Sequence, residues 1–490
     1  MIKFVLSIAL MFVAFEIHAQ STYFNKLYGN NSRAEAGYSI ITLDSNYIIT
    51  GGSNGAHSIY PRADLTICLN QKGDTIWTRQ DSINNPVCFD IESLNNSLYE
   101  IGNVEFPNYQ GIYFRKYKPN GDTVWTKYIR IDSADFGEYL IPTHDYGFLI
   151  VGAVNTDTNI YANDFNYDKV CLIKFDSNGN VLWVDSLLAH STGSYADAGI
   201  ENGDHSFTIV GIYGKDSALV LKIDSNGQLL WYKTYQSGFF DENANCIIST
   251  ADKGYLVAGS QAEGLVGYEI YYYWLMKIDS IGNTKWQKTY GDSLYTSGFR
   301  QIRQTLDRNY AFIGSSQYYN TDTVYANLYK IDTSGNVLFE KEFYRPPYPS
   351  SDWNDFAYDV LATPDSGFIF VGSNFDTTSR VWVVKTDKYG CDSVGCQLGT
   401  GIEQVENQNS SFSVYPNPAI TQTTVLYTVP ENTQQVNLRV YDITGRIVEQ
   451  QVLDKYSHQT TLDVGDFSAG MYLVELKTDE GMVVKKLVVE

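Results

Sequence analysis

Short apolar runs that end in glycine recur along the first four fifths of the chain. Each run spans about five residues, is rich in β-branched and aromatic side chains, and is bounded by turn formers such as those at 252–254. These features predict β-strands with tight connections. The runs end at seven glycines: Gly51, Gly102, Gly152, Gly211, Gly259, Gly314 and Gly372.

A second motif, Lys-x-Asp-x-x-Gly with variants, is followed four residues after its glycine by an aromatic residue. Repetition at a spacing of 48 to 58 residues predicts stacked units, none of which buries its apolar face alone. The glycines are Gly73, Gly121, Gly179, Gly227, Gly282, Gly335 and Gly390, and the aromatic residues after the first six are Trp77, Trp125, Trp183, Trp231, Trp286 and Phe339.

Each unit contains four strand patterns, so the repeat predicts an all-β, seven-bladed β-propeller of four-stranded blades over residues 20–396. The Asp-Ser-Asn-Gly turns at 176–179 and 224–227 place a fourth strand and the following Trp strand in one blade. The last copy lacks such a partner, and residues 24–29 resemble 286–291. We therefore predict that an N-terminal strand, 23–28, completes the last blade.

The charge and the termini indicate an exported protein. A net charge of -21 excludes nucleic acid as a partner and disfavours anionic membrane surfaces. Residues 1–19 have the layout of a signal peptide, with Lys3, an apolar stretch and Ala19. No other long apolar run occurs, so we expect no integral membrane segment in the mature chain.

The six cysteines belong to the exported part, where disulfides are permitted. Cys391 and Cys396 flank a short turn sequence and are the candidate disulfide. The other four, Cys68, Cys88, Cys171 and Cys246, lie in predicted strands, and we interpret them as small buried apolar residues.

After a polar linker, 397–411, the repeat stops and a different segment, 412–490, begins. Its motifs are Tyr-Pro-Asn-Pro, a Thr-Gly turn, a Gly-x-Tyr and a final Lys-Lys. In this order they resemble the C-terminal sorting domain of the bacteroidete type IX secretion system. The resemblance implies a small immunoglobulin-like sandwich recognised by the secretion translocon and a protein released or held at the cell surface. The motif residues are Tyr415, Pro416, Asn417, Pro418, Gly445, Gly470, Tyr472, Lys485 and Lys486. A plain carbohydrate-binding or spacer β-domain is the alternative.

The propeller units resemble the tryptophan-docking repeats of quinoprotein-like propellers, as in Asp176, Gly179 and Trp183. In that family the indole stacks on the neighbouring blade, so the resemblance implies a packing role. The chain lacks adjacent cysteines, which a quinone dehydrogenase would be expected to show. We therefore predict no cofactor. The Asp-rich segment 157–168 is the one place where calcium is considered, although its carboxylates lack the order of a known calcium loop.

No catalytic constellation stands out. The Gly-x-Ser-x-Gly pattern at 51–55 ends a strand with no helix after it, unlike a nucleophile elbow. We interpret the histidines His57, His144, His190 and His205 as separate turn or surface residues, and we predict no metal site.

The loops give the functional hypothesis. Connections after the Trp strand and after the third strand emerge together on one face, which we call the long-loop face, and are longer and more varied than the others. Aromatic rings beside polar acceptors suit a glycan or a surface protein, although loop packing explains some of them. The candidate ligand residues are Tyr161, Asp164, Phe240, Tyr271, Tyr318, Tyr348 and Trp353.

Three functions remain open: binding through the long-loop face, hydrolysis or elimination on a polysaccharide, and a structural spacer role. Two or three acids with a basic residue over the central channel would favour an enzyme, whereas an aromatic face without such a cluster would favour binding. Flat, mutually packed loops would favour the spacer.

Overall fold

The computed structural model describes residues 23–29, 34–53, 63–106, 109–131, 134–155, 169–214, 216–236, 240–265, 268–291, 294–318, 324–344, 356–375, 379–393, 411–429, 433, 435–442, 446–478 and 482–489. These residues form strands and turns and contain no helix. The chain divides into two compact units, Met1–Ser393 and Val394–Glu490, each described separately below.

The first unit consists of seven blades, each a set of four antiparallel strands, and one parallel bridge between Ala134 and Gln110 joins the sheets of blades 2 and 3. Strand β1 (Phe24–Tyr28) belongs to the last blade. Blade 1 contains β2 (Glu35–Leu43), β3 (Asn46–Ser53), β4 (Ala63–Leu69) and β5 (Thr75–Asp81). Blade 2 contains β6 (Val87–Leu94), β7 (Ser97–Phe106), β8 (Tyr109–Tyr117) and β9 (Thr123–Ile129). Blade 3 contains β10 (Ala134–Pro142), β11 (Phe148–Asn155), β12 (Lys169–Phe175) and β13 (Val181–Leu187).

The remaining blades repeat this order. Blade 4 contains β14 (Ser194–Glu201), β15 (Phe207–Tyr213), β16 (Ser217–Ile223) and β17 (Leu229–Tyr235). Blade 5 contains β18 (Phe240–Ser249), β19 (Tyr255–Leu265), β20 (Tyr268–Ile278) and β21 (Thr284–Tyr290). Blade 6 contains β22 (Leu294–Gln304), β23 (Tyr310–Tyr318), β24 (Val324–Ile331) and β25 (Val337–Phe343). Blade 7 contains β26 (Phe356–Ala362), β27 (Phe368–Phe375), β28 (Ser379–Thr386) and β1.

The ring closes between blades 7 and 1. The N-terminal strand β1 pairs with β28 from Phe24 opposite Lys385 to Tyr28 opposite Val381. The first strands of neighbouring blades contact one another around the whole ring, including β2 with β26, so they are the innermost strands and surround a central channel. This arrangement confirms the predicted seven-bladed propeller.

The repeated aromatic residue docks each blade on the next one. A Cβ built on Gly179 would lie 2.5 Å from the Trp125 indole, and one built on Gly227 would lie 3.1 Å from Trp183. Both glycines have positive φ, as the turn requires. Phe24 takes the same role against Gly73, whose Cβ would lie 2.9 Å from its ring. The glycine is therefore needed both for the turn and for the indole.

The other repeated residues also have structural roles. In the turn after β12, Asp176 Oδ1 accepts hydrogen bonds from the backbone amides of Asn178 and Asn180, at 2.9 and 2.7 Å. Lys174, two residues earlier, donates at 2.9 Å to Asp145 in another turn of its own blade. Equivalent lysine–aspartate contacts occur in blades 4 to 7, so in blades 3 to 7 the Lys-x-Asp-x-x-Gly repeat stabilises two turns of the blade, without chemistry of its own.

The hydrophobic core lies between blades. Phe114 of blade 2 packs edge-on against Phe148 of blade 3, with ring centroids 5.6 Å apart, and is 4.8 Å from Phe175. These three rings are completely buried. Similar clusters fill the other interfaces. Each blade thus buries its two apolar faces against its neighbours, as stacked repeats must.

The second unit is a sandwich of two sheets. One sheet has the order β29–β30–β33 and the other β32–β31–β34–β35. The strands are β29 (Ser411–Tyr415), β30 (Gln422–Thr428), β31 (Val436–Tyr441), β32 (Ile447–Leu453), β33 (Gln459–Asp463), β34 (Gly470–Lys477) and β35 (Met482–Val489). Their inward residues, among them Val425, Leu438 and Val474, form one core. A β-sandwich agrees with the predicted fold of this segment.

Candidate functional site

Every innermost strand of the propeller carries a β-bulge at the equivalent position. In β2 the pairing with β3 shifts between Gly37 and Ser39, so one residue, Tyr38, is left over. The same shift occurs in the other six blades. A bulge re-aims the extra side chain. The seven extra residues form what we call the channel ring: Tyr38, Phe89, Glu138, Asp197, Asn245, Arg300 and Tyr358.

The glycine that ends each apolar run makes room for the bulge. A Cβ on Gly51 would lie 1.9 Å from the Ala36 carbonyl oxygen, and one on Gly259 would lie 1.8 Å from that of Asn243. Both oxygens belong to the strand that bulges, at the start of the irregular pairing. The seven glycines that predicted the strands are thus the positions that allow the channel ring to form.

One side of the channel ring is aromatic. The Tyr38 and Phe89 rings are stacked with centroids 6.1 Å apart, and Tyr38 meets Tyr358 edge-on at 5.0 Å. Phe89 also contacts Phe136, one strand further round, at 5.0 Å. All four rings are partly exposed, whereas most of the residues beside them in the strands are buried. Blades 7, 1, 2 and 3 therefore present a continuous aromatic surface to the channel.

The other side of the ring is polar and contains two acids from neighbouring blades. Burial in the channel raises the pKa of Glu138 to about 7, with Arg300 opposing the shift and Asp90 adding to it. Burial also raises the pKa of Asp197 well above its usual range, and Glu138 raises it further. The Asp197 Oδ2 atom is buried and has no hydrogen-bond partner among the described residues. Both carboxyls therefore hold their protons more tightly than ordinary carboxyls do.

Arg300 is the basic member of the ring. Its guanidinium lies 5.2 Å from the centroid of the Tyr358 ring, and its charge lowers the pKa of both Glu138 and Asp197. The side chain is exposed. It connects the aromatic side of the ring to the polar side, so a ligand in the channel meets a flat apolar surface, acids, an amide and a guanidinium within one cavity.

A second layer of acids beneath the ring is structural. Asp90 accepts hydrogen bonds from Ser39 at 2.9 Å and from the Leu140 amide at 2.9 Å. Asp359 accepts one from the Ile40 amide at 3.0 Å and pairs with Arg303 at 3.2 Å. Each acid thus joins its innermost strand to neighbouring strands. Because these carboxyls already have partners, they are distinct from Glu138 and Asp197 in what they offer a ligand.

The ring lines a cavity of about 270 Å³. A second cavity of about 320 Å³ lies beside it, against Phe136, Glu138, Tyr195 and Asp197. The innermost strands begin at the long-loop face, and Tyr38, Phe89, Asp197 and Tyr358 lie in the first half of their strands, whereas Asn245 and Arg300 lie past the middle of theirs. The cavities are large enough for a ligand of the size of one or two sugar units.

Three of the predicted ligand residues lie in strands, outside the channel ring. Phe240 begins β18, Tyr271 is a half-buried residue of β20 and Tyr318 ends β23. Their assignment to loops was wrong, because hairpin pairing continues through these segments, as in Leu265 opposite Tyr268. Tyr161, Asp164, Tyr348, Trp353 and the calcium candidate 157–168 lie outside the described residues, as does the proposed signal peptide.

The channel ring itself was missed by sequence reasoning. Its members differ in every feature that a motif search uses, and the alternation of a regular strand gives no sign of a bulge. A signal existed: each ring residue follows the one that pairs with the repeated glycine, as Asp197 follows Ala196 opposite Gly211.

Among the cysteines, Cys391 is disulfide-bonded and the four in the strands are free and buried. Its pairing with Cys396, which lies outside the described residues, stays a prediction.

In the sandwich, the first and last sorting motifs lie against each other. Asn417 donates from Nδ2 to the Lys486 carbonyl at 2.7 Å and accepts from the Val488 amide at 2.8 Å. The Tyr415–Pro416 and Asn417–Pro418 peptide bonds are cis. The Tyr472 hydroxyl donates to the Ser468 carbonyl at 2.7 Å. Gly470, two residues before Tyr472, has a positive φ.

Seven of the eight described motif residues are exposed at the surface of the sandwich, with Tyr415 at 75%, and Tyr472 is the buried one. Gly445 lies outside the described residues. The exposed motif residues, Lys485 and Lys486 among them, are therefore accessible to a partner.

Residues 413–490 match the family model described as the secretion system C-terminal sorting domain. The C-terminal unit is a type IX secretion sorting domain. The resemblance seen in the sequence is thus confirmed, and the sorting domain directs the protein to the cell surface or out of the cell. Among the described residues, no helix has the length and apolar character needed to cross a bilayer.

Solved structures match the chain at low similarity. An acylaminoacyl peptidase from Pyrococcus horikoshii has 11% identity and a TM-score of 0.40, covering 81% of this chain but only 58% of that chain. PorZ, a surface component of the Porphyromonas gingivalis type IX secretion system, has 9% identity and a TM-score of 0.24, with 92% and 75% covered. The β-propeller domain of the Trilobed protease from Pyrococcus furiosus has 7% identity and a TM-score of 0.35, with 76% and 97% covered.

These similarities are too low to transfer an activity. No curated protein sequence matches the chain.

Proposed function

We propose that this protein, a propeller exported by the type IX secretion system, binds a glycan with the channel ring. The single observation that supports the proposal most is the division of the ring. Tyr38, Phe89 and Tyr358 offer aromatic faces, while Glu138 and Asp197 offer polar atoms across the cavity. A sugar has the matching properties, because its C–H face packs on an aromatic ring and its hydroxyls donate and accept hydrogen bonds.

The protonation of the acids favours a neutral sugar. Because burial raises the pKa of both groups, that of Glu138 to about 7, these two carboxyls carry less charge at neutral pH than ordinary carboxylates. A protonated carboxyl donates one hydrogen bond and accepts others, which matches the mixed character of a hydroxyl group. The Asp197 Oδ2 atom, which has no hydrogen-bond partner among the described residues, would gain one from the ligand, so binding removes the cost of that buried atom.

A second candidate function is hydrolysis of the bound glycan. Two acids, Glu138 and Asp197, and one basic residue, Arg300, line the same cavity although they come from three blades. A cluster of this kind favours an enzyme. Two carboxyls that face one cavity can act as general acid and general base on a glycosidic bond. In that mechanism one of the two carboxyls would protonate the leaving oxygen, and the other, when ionised, would activate water.

The two functions are separated by one screen and one variant. The untagged full-length protein is applied to a glycan array and to insoluble polysaccharides, and released reducing ends are measured in parallel. We expect retention on at least one neutral glycan. Absence of retention on every neutral glycan would overturn the proposal.

Asp197→Asn then decides between binding and turnover. The amide resembles the protonated carboxyl, so a binding protein keeps its affinity within about threefold, whereas a hydrolase loses about 10²- to 10⁴-fold in rate. Tyr232→Ala, which removes an exposed aromatic residue from the outer strand β17, is the matched control for surface effects. Reducing ends released by the wild type but not by Asp197→Asn would establish the enzyme.

A further inference from the structure

The short turns on the face opposite the long loops bring together three metal-ligating side chains. His144 lies in the turn between β10 and β11, Glu201 ends β14, and His205 lies in the turn between β14 and β15. One possible ligand atom from each residue lies within 4.8 Å of the others. Although 61 residues separate the two histidines, they come from neighbouring blades. The interpretation of His144 and His205 as separate turn residues is therefore wrong.

The contacts within the cluster are close. His144 Nδ1 lies 2.5 Å and His205 Nδ1 lies 3.5 Å from the same oxygen, Glu201 Oε1. The two imidazoles are stacked, with centroids 3.5 Å apart and an interplanar angle of 24°. Two imidazoles and one carboxylate thus share a small region, and a divalent cation binds such nitrogens and oxygens together.

The backbone holds these residues in place while leaving their tips accessible. The His144 amide donates to Glu201 Oε2 at 2.7 Å, which joins the turn of blade 3 to the strand of blade 4. His205 has a φ of 63°, fixed by a tight turn. The His144 and His205 side chains are 49% and 51% exposed, whereas Glu201 is 12% exposed. The carboxylate is thus fixed and the imidazoles are open to an ion from solvent.

The neighbouring acids are already occupied. Asp145 accepts a hydrogen bond from Lys174 at 2.9 Å, and Asp204 accepts one from the Ser206 side chain and lies 3.5 Å from Lys222. Glu201 is the carboxylate that faces both imidazoles.

The equivalent positions in other blades show that the cluster is specific to one interface. Between blades 4 and 5 the corresponding residues are Gly203, Ser249 and Lys253. Between blades 5 and 6 they are Ala251, Gln304 and Arg308. Arg308 has a positive φ, like His205. The turns therefore share one backbone design, and only the interface of blades 3 and 4 combines these three ligand types among the interfaces just compared.

We propose that His144, Glu201 and His205 bind one divalent transition-metal ion of the Zn²⁺ class. Two nitrogens and one carboxylate oxygen form the ligand set of many open zinc sites, in which solvent takes the fourth position. Ligand atoms around one ion lie at most about 4.2 Å apart, so the exposed imidazoles need to move by several tenths of an ångström. Such an ion would tie blade 3 to blade 4 on the face opposite the channel ring, independently of glycan binding.

The test is a titration of untagged, chelator-treated full-length protein with Zn²⁺, followed by calorimetry, and with Co²⁺, followed by visible absorption. We expect one ion per chain. His144→Ala, His205→Asn and Glu201→Gln should each weaken binding by at least about tenfold, the loss seen even when an outer-shell partner is removed. Asparagine is chosen at position 205 because it tolerates positive φ.

His190→Ala is the matched control. His190 is a partly exposed histidine in the connection between β13 and β14, bonded to Thr192 and 4.7 Å from the Tyr213 ring, and it lies outside the cluster. Its removal should leave Zn²⁺ affinity unchanged. Zn²⁺ should also raise the melting temperature of the wild type and of this control, but not that of His205→Asn. Absence of stoichiometric binding, or equal affinities of the cluster variants and His190→Ala, would overturn the proposal.

Discussion

Two sets of seven positions recur around the propeller, and they differ in how uniform their residues are. The docking positions on the outer strands hold only tryptophan and phenylalanine: Phe24, Trp77, Trp125, Trp183, Trp231, Trp286 and Phe339. The channel ring holds six residue types at seven positions. Both sets have the same scaffold, so backbone geometry cannot explain the difference.

The explanation lies in what each position contacts. A docking ring always meets the turn glycine of the next blade, as Trp183 meets Gly227, so the same flat apolar group is required each time. A residue of the channel ring faces the channel instead, so no flat apolar group is required at its position. Polar groups such as Asp197 are nevertheless costly there without a partner. Uniform positions therefore indicate folding, and the varied, energetically costly ones indicate function.

The largest effect is expected where the two sets meet, at a glycine opposite a bulge. A Cβ on Gly259 would overlap the Asn243 carbonyl, so Gly259→Ala must displace the bulge. We expect a loss of about 3 kcal/mol in the free energy of unfolding and weaker glycan binding. Urea unfolding measures the first. Gly203→Ala is the control, because its Cβ meets nothing within 4 Å, and equal stabilities of the two variants would contradict this role of the glycine.

A docking residue should affect stability alone. Trp183 is half-buried, so Trp183→Ala should lower the free energy of unfolding by about 2 kcal/mol and leave glycan affinity unchanged. Trp183→Phe should cost less than about 1 kcal/mol, since Phe24 and Phe339 serve the same role in other blades. The comparison breaks down if Trp183→Ala abolishes binding while the protein stays as stable as the wild type.

A residue of the channel ring should affect glycan affinity and not reduce stability. Asp197→Ala removes a carboxyl whose buried Oδ2 atom has no hydrogen-bond partner in the described part of the chain, so the free energy of unfolding should stay the same or rise. Glycan affinity should fall by about tenfold, the equivalent of 1.4 kcal/mol for one lost hydrogen bond to the ligand. A strongly destabilised variant in urea unfolding would show that Asp197 serves the fold.

The smallest effect concerns the pH dependence of stability. The folded protein raises the pKa of Glu138 to about 7, so it holds this proton more tightly than the unfolded chain does. The resulting stabilisation is complete below the unfolded pKa, about 4.3, and is lost as pH rises through about 7. Glu138→Gln has no such loss because the amide does not titrate. The free energy of unfolding of this variant, measured relative to that of the wild type, should therefore increase between pH 5 and 8 by on the order of 1 kcal/mol. A difference independent of pH would contradict the assignment.

The sequence was sufficient for the fold because the docking motif depends on local spacing. Trp-x-Lys-x-Tyr, the turn glycine and the apolar runs each repeat within one unit, and their count predicts the blades. The channel ring depends on a bulge and on seven distant segments meeting, as Glu138 of blade 3 meets Asp197 of blade 4. The pairing of His144 with Glu201 also arises only when blades adjoin. Such contacts are set by tertiary packing, which no local pattern contains.

The most direct test measures the affinity of the sugar identified by the array for three proteins by calorimetry. These are the wild type, a double variant with Asp197→Ala and Tyr358→Ala, and Trp183→Ala. If the channel ring is the binding site, the double variant should lose about a hundredfold in affinity while Trp183→Ala binds like the wild type. Wild-type affinity in the double variant would contradict the assignment of function to the ring and would place binding on the long loops.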